Sequence, residues 1–230
     1  MGAFCGRSIN VGGDPARPRD RGVMFDGPTV IEATEVGTGP TYDLVVIAAS
    51  AGGLAALSAV LTALPAEFPA AVLVVQHLDP HHKSFIDDIL RRRTALKVEL
   101  GTEGAAIGAG CVIVAPPDRH LLVNATGTVS LSEAALVHFV RPSADLLFES
   151  AAASFGDRVI GVVLTGSGRD GGMGVRAVKE RGGLVIAQDE NTSQFFGMPG
   201  TAIETGAVDL VLPLDQIAPT LIGLVASRRP

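Results

Sequence analysis

Three side chains able to do chemistry together stand at the ends of apolar runs. Ser50 follows the run Leu44, Val45, Val46, Ile47 and a pair of alanines, and is itself followed by Ala51, Gly52 and Gly53. His77 follows AVLVVQ at 71–76, and Asp170 lies in the loop TGSGRDGG after the run at 159–164. Serine is a weak nucleophile until a base removes its proton. Imidazole is such a base, and a carboxylate fixes its tautomer and stabilises its cation. The set suits acyl transfer. The chain order Ser, His, Asp differs from the three common triad orders, and the turn at Ser50 is not a G-x-S-x-G elbow, so an ordinary α/β-hydrolase is excluded.

Each residue also has a plainer role. Ser50 at a strand-to-helix turn can cap the helix that begins near Leu54, and Asp170 can cap the helix that follows it. His77 opens the cluster HLDPHH with His81 and His82. Histidines at i and i+4 suit a metal on a helix, but Pro80 interrupts that helix and no further ligand stands at the right spacing, so no metal is expected. A nucleotide site is the sharper rival. Residues 166–171 read G-x-G-x-x-G between a strand and a helix, and Asp189 follows the next strand where a ribose-binding acid belongs. Against it, Asp170 puts a negative charge inside the turn that would hold a pyrophosphate.

These side chains need elements to hold them at the carboxyl ends of parallel strands, where an α/β sheet carries its chemistry. The apolar patterns alternate strand and helix from Asp43 onward. Strands are expected near 44–47, 71–76, 97–100, 111–115, 159–164, 184–188 and 208–212, and a hairpin at 121–132 around Ala125-Thr126-Gly127. Helices are expected at 54–64, at 84–93, from a Ser143 cap to Phe155 with Gly156 closing it, from the glycine loop to Arg181, as a short helix after 198, and at the terminus. Residues 189–198 read as a loop. The fold class is α/β, a doubly wound and mostly parallel sheet with helices on both faces and one β-hairpin.

Composition sets the outer bounds. The chain has 230 residues, 47% of them hydrophobic and 18% charged, enough for one good core. A net charge of −6 is a poor basis for binding nucleic acid. The two cysteines, Cys5 and Cys111, make no disulfide framework. No apolar run is long enough to span a membrane and no signal-peptide core opens the chain, so a cytoplasmic location is expected. Residues 1–40 are rich in Gly and Pro with little periodicity; they read as a disordered tail, with Val30-Ile31 as a weak edge segment. Residues 41–230 form the folded domain.

Taken together, IAASAGGLAAL (47–57), VVQHLDP (74–80), VAPPDRHL (114–121), RPSADLLFESAA (141–152), GVVLTGSGRDGGMG (161–174) and AQDENTSQFFGMPGTAIETGAVDLVLPL (187–214) resemble the catalytic domain of the CheB-type chemotaxis protein-glutamate methylesterase family. The segments keep the family's order and spacing across almost all of 43–214.

The resemblance implies hydrolysis of glutamate γ-methyl esters on the cytoplasmic domains of chemoreceptors, and deamidation of receptor glutamines, without metal or organic cofactor. It implies Ser50 as nucleophile, His77 as base and Asp170 as acid. A main-chain oxyanion donor falls near Ser167, where the family often has Met. Ala48 stands where the family usually has Gly, and Ala51 where some members have a Thr whose hydroxyl assists the oxyanion. Met198 is implied as a supporting residue. The family's typical member carries a phosphorylatable receiver domain ahead of the esterase; forty tail residues cannot form one, so a stand-alone esterase domain is expected. The alternatives are a Rossmann-like nucleotide binder using the 166–171 loop and a non-catalytic signalling module.

Overall fold

The computed structural model describes residues 42–77 and 85–226. The expected tail at 1–40, and His81 and His82, lie outside the described residues.

Among the described residues there are nine strands and six α-helices. The strands are β1 (Leu44–Ala49), β2 (Ala71–Gln76), β3 (Lys97–Leu100), β4 (Cys111–Val114), β5 (His120–Val123), β6 (Val129–Ser132), β7 (Val159–Val163), β8 (Leu184–Gln188) and β9 (Leu210–Leu212). The helices are α1 (Gly53–Thr62), α2 (Ile86–Arg91), α3 (Ala144–Phe155), α4 (Gly172–Glu180), α5 (Gly197–Glu204) and α6 (Leu214–Ala226). Seven strands form one parallel sheet in the order β3-β4-β2-β1-β7-β8-β9, and β5 and β6 pair as the antiparallel hairpin.

Side chains alternate across a strand with period two. In β1, Val45, Ile47 and Ala49 face one core with Leu57, Val60 and Leu61 of α1 and Ile217 and Leu221 of α6. Leu44, Val46 and Ala48 face the other, with Leu147, Phe148 and Ala151 of α3 and Val175 and Val178 of α4. Both faces are covered, which is why β1, β2 and β7 are apolar at nearly every position. Each fully buried Leu, Val or Phe contributes about 1.5–3 kcal/mol, so these two layers hold the sheet rigid beneath its loops.

The winding fixes where loops converge. From β1 the chain crosses through α1 to β2 on one side, whereas from β7 it crosses through α4 to β8 on the other. The strands β1 and β7 are paired, so their carboxyl ends flank the point where the winding reverses, the place where α/β sheets form a crevice.

Boundaries shifted in physically sensible ways. The first strand runs on to Ala49, because small residues pack on both faces there. Gly156, at φ 61°, ends α3 as its composition suggested. The expected loop at 189–198 is shorter, since α5 begins at Gly197 and takes Met198 and Pro199 into its first turn. Proline is tolerated there because the first-turn amides need no helical partner.

Candidate active site

Ser50 is fixed by its backbone. Its amide donates to Thr165 O at 3.0 Å, and its carbonyl accepts from Gly53 N at 2.8 Å and from Gln76 Nε2 at 2.7 Å. The turn needs glycine twice. Gly52 caps α1 with φ 75°, a left-handed conformation. At Gly53 a Cβ would stand 2.1 Å from Gln76 Oε1 and 2.7 Å from Ala49 Cβ. The Ser50 hydroxyl does not cap α1, whose N-terminus has no side-chain cap, and it makes no hydrogen bond among the described residues.

Ala49 and Gln76 are paired across β1 and β2, so Ser50 and His77 leave adjacent strands at the same level. Both line one cavity of about 710 Å3, together with Ala51, Gly53, Gln76 and Arg93. His77 Nε2 meets Asp170 Oδ2 at 2.7 Å, and both side chains are almost fully buried. An ionised carboxylate only accepts, so the Nε2 position carries the proton and the Nδ1 lone pair is left free.

Asp170 is the most heavily engaged of the three. Its Oδ2 also accepts from Ala144 N at 2.6 Å, and its Oδ1 accepts from Ser143 Oγ at 2.8 Å and from Asp145 N at 3.1 Å. Burial opposes its charge, but the hydrogen bond from His77 and the Ala144 and Asp145 amides outweigh that, and its carboxyl titrates below the ordinary range. The expectation that Asp170 caps the following helix is corrected. Gly171 is the N-cap of α4 and brings no side-chain cap, while Asp170 reaches across to cap α3.

The α4 terminus is served instead by Asp145. Its Oδ1 accepts from Gly171 N at 3.0 Å and Gly174 N at 2.7 Å, and its Oδ2 accepts from His138 Nε2 at 3.1 Å. Burial is the main cause that pushes the Asp145 carboxyl above its ordinary range, and the neighbouring Asp170 charge adds to it, against the opposing amides and His138. This arrangement removes the nucleotide reading of 166–171, because the helix-terminal amides that would bind a pyrophosphate already hold a carboxylate. Asp189 is engaged too, accepting from Thr192 N at 3.0 Å. The ligating atoms of His138, Asp145 and Asp170 lie within 4.8 Å of one another. All four carboxylate oxygens are already acceptors, so a cation there would have to displace protein donors.

The supporting positions lie beside Ser50. Ala51 O accepts from Thr165 Oγ1 at 3.1 Å, and Ala51 brings no hydroxyl. Ser167 is exposed, and its amide has no acceptor among the described residues. Met198 is buried, and its amide donates to Gly166 O at 2.8 Å. A Cβ on Gly166 would lie 2.4 Å from Met198 Sδ and 2.9 Å from Ser50 Cβ, so Gly166 lets both approach.

Ser143 caps α3 as expected, but its bond to Asp170 was not foreseen, and sequence reasoning missed Asp145 and two glutamines. Gln76 Nε2 bridges Ser50 O and His77 O, and Gln188 Oε1 accepts from Thr165 N at 2.8 Å while its Nε2 donates to Thr192 O. Each glutamine ends a wholly apolar strand, and that lone polar residue was the available signal.

The sequence profile of the CheB methylesterase family matches residues 45–221. A protein-glutamate methylesterase/protein-glutamine glutaminase of Moorella thermoacetica is 42% identical over 193 residues, covering 82% of this chain and 46% of the relative. One of Anaeromyxobacter dehalogenans is 47% identical over 175 residues, covering 76% and 51%. The chain thus spans about half the length of these relatives, whereas it spans 95% of a Leptospira interrogans relative that is 40% identical. The crystal structure of the Thermotoga maritima CheB methylesterase catalytic domain superposes with a TM-score of 0.78 at 38% identity, over 81% of this chain and all of that one. With a matching profile over most of its length and the same parallel-sheet architecture, this chain belongs to the CheB methylesterase family.

Proposed function

We propose that residues 41–230 are a serine hydrolase unit that removes glutamate γ-methyl esters from the cytoplasmic segments of chemoreceptors, and that the same site deamidates receptor glutamines. The hydrogen bond of 2.7 Å between His77 and Asp170, beside Ser50 on the neighbouring strand end, is the observation that carries this reading.

The Ser50 oxygen attacks the ester carbonyl while His77 Nδ1 takes its proton. Asp170 holds the imidazole by Nε2 and balances the imidazolium charge. The Ser167 amide offers a donor to the oxyanion, and without a hydroxyl at Ala51 the donors are main-chain groups. Methanol leaves with the proton from His77, giving an acyl-Ser50. Water, deprotonated by the same base, then releases glutamate and regenerates the serine. The free-state site lacks a Ser50–His77 hydrogen bond, and such contacts commonly tighten only with substrate bound. No step needs a metal or an organic cofactor. Among the described residues no helix is long and apolar enough to cross a membrane.

The test is methanol release from methylated receptor membranes, compared with hydrolysis of a generic ester and with Ser50→Ala. Preference for the receptor and loss in the variant support the reading. Equal turnover of any ester, or a fully active variant, overturns it.

A further inference from the structure

A second cavity, of about 310 Å3, is lined by His138, Arg169, Met173, Arg176, Thr201 and Glu204. It contains neither Ser50 nor His77, yet it adjoins the same machinery. Arg169 precedes Asp170, and a ring nitrogen of His138 lies within 4.8 Å of carboxylate oxygens of both Asp145 and Asp170. Among the described residues neither arginine forms an ion pair, and Glu204 forms none either. Two guanidinium groups thus line the cavity against the single carboxylate of Glu204, with those of Asp145 and Asp170 behind His138.

The donors decide the class of ligand. Three of the first amides of α4 are spoken for: Gly171 and Gly174 by Asp145, and Gly172 by Arg169 O. What remains are guanidinium forks, the Thr201 hydroxyl and the Met173 amide. With the carboxylates of Glu204, Asp145 and Asp170 close by, that set suits a singly charged carboxylate, which arginine binds with two parallel hydrogen bonds.

The rim is apolar and strained. Val137 and Val140 exchange main-chain hydrogen bonds of 3.2 and 2.9 Å, closing a two-residue turn in which His138 has φ 50° and Phe139 φ 65°. Turns of that type favour Asn and Gly, so a histidine and a phenylalanine there are held at a cost. The result places Phe139 in solvent, 95% exposed, next to a residue of the cavity wall, and Met173 on the wall is 54% exposed. Phe139 and Met173 offer apolar contact at the edge of an arginine-lined cavity.

We infer that this cavity is a substrate subsite, taking the side-chain carboxylate of an acidic residue on the same polypeptide segment whose γ-methyl ester reaches Ser50, with Phe139 and Met173 against the segment's apolar flank. This rests on the methylesterase reading. A segment carrying several methylatable glutamates presents carboxylates beside the remaining esters, because each turnover replaces an ester by an acid.

The experiment compares wild type with Arg176→Glu, Arg176→Ala, Arg176→Lys and Phe139→Ala on two substrates. One is a methylated receptor fragment. The other is a blocked glutamate γ-methyl ester that carries no second carboxylate. Arg176→Glu should raise KM for the receptor fragment by tenfold or more with kcat unchanged, Arg176→Ala should raise it less, and Arg176→Lys should fall between Arg176→Ala and wild type, because it keeps the charge but loses the paired hydrogen bonds. Phe139→Ala should raise it several-fold, and the small ester should be indifferent to all four. Added salt should raise the wild-type receptor KM and affect Arg176→Glu little. A receptor KM within twofold of wild type in Arg176→Glu overturns the subsite, as does an equal loss on both substrates. A wild type inactive on both overturns the methylesterase reading itself.

Discussion

Asp170 accepts the main-chain amide of Asp145 at 3.1 Å, and Asp145 accepts the amide of Gly171, the residue after Asp170, at 3.0 Å. Each aspartate therefore caps the helix associated with the other. Hydrogen bonds to a charged group are worth about 1.5–3 kcal/mol each, so the exchange locks α3, α4 and the loop bearing Asp170 into one unit.

Asp145→Ala tests that lock. It leaves the amides of Gly171 and Gly174 unpaired in a buried place, at about 1–3 kcal/mol apiece. Urea unfolding should show a loss of about 3 kcal/mol, and kcat for methyl-ester hydrolysis should fall because Asp170 is no longer held beside His77. An unchanged urea midpoint would show that the two helices are secured by other contacts.

Asp170→Asn separates catalysis from scaffolding by pH. The amide nitrogen faces groups that all donate, so the variant should lose about 1–3 kcal/mol, and turnover should drop by up to about 10⁴-fold. Because the Asp170 carboxyl titrates below its ordinary value of 3.8 in the folded protein, its stabilisation is complete above that value and vanishes as falling pH protonates it. The stability gap between wild type and variant should be widest near neutral pH and close below about pH 4. Asp145 has the opposite sign: its raised carboxyl favours the folded state less as pH rises above 3.8, so the deficit of Asp145→Asn should shrink in that direction. Stability measured from pH 3 to 7 on the three proteins checks both signs.

Ser50→Ala should abolish methanol release, by about 10⁴-fold or more, with unfolding within about 0.5 kcal/mol of wild type. The hydroxyl supports no hydrogen bond among the described residues, so its loss has no structural cost to report. Turnover near wild type would take Ser50 out of the reaction.

Gly53→Ala probes the close approach behind the serine. The added methyl would meet Gln76 Oε1 and Ala49 Cβ well inside contact distance. Destabilisation of about 1–3 kcal/mol is expected, and kcat should fall because Gln76 holds the carbonyls of both Ser50 and His77. A neutral result by thermal melting and kinetics would mean that Gln76 moves aside freely.

The parallel layers were legible as apolar runs, and Ser50, His77 and Asp170 as polar residues after such runs: Ser50 and His77 directly follow β1 and β2, and Asp170 lies in the loop after β7. The partners were not. Ser143 and Asp145 reach Asp170 across 27 and 25 residues, and no local pattern announces a cap exchanged between two helices. Asp170 stands so close to α4 in the chain that proximity suggested the wrong helix. The G-x-G-x-x-G match at 166–171 is equally local, and only the carboxylate arriving from α3 shows that the Gly171 amide, with that of Gly174 beyond it, is taken. The expected loop at 189–198 includes Met198, which lies in the first turn of α5, where its neighbours Gly197 and Pro199 are tolerated.

The bond from His77 to Asp170 joins residues 93 apart in the chain. It needs β7 paired with β1, a parallel contact that closes a long loop and belongs to the slow class of folding events. Recovery of hydrolytic activity on refolding is therefore expected to lag behind recovery of circular dichroism.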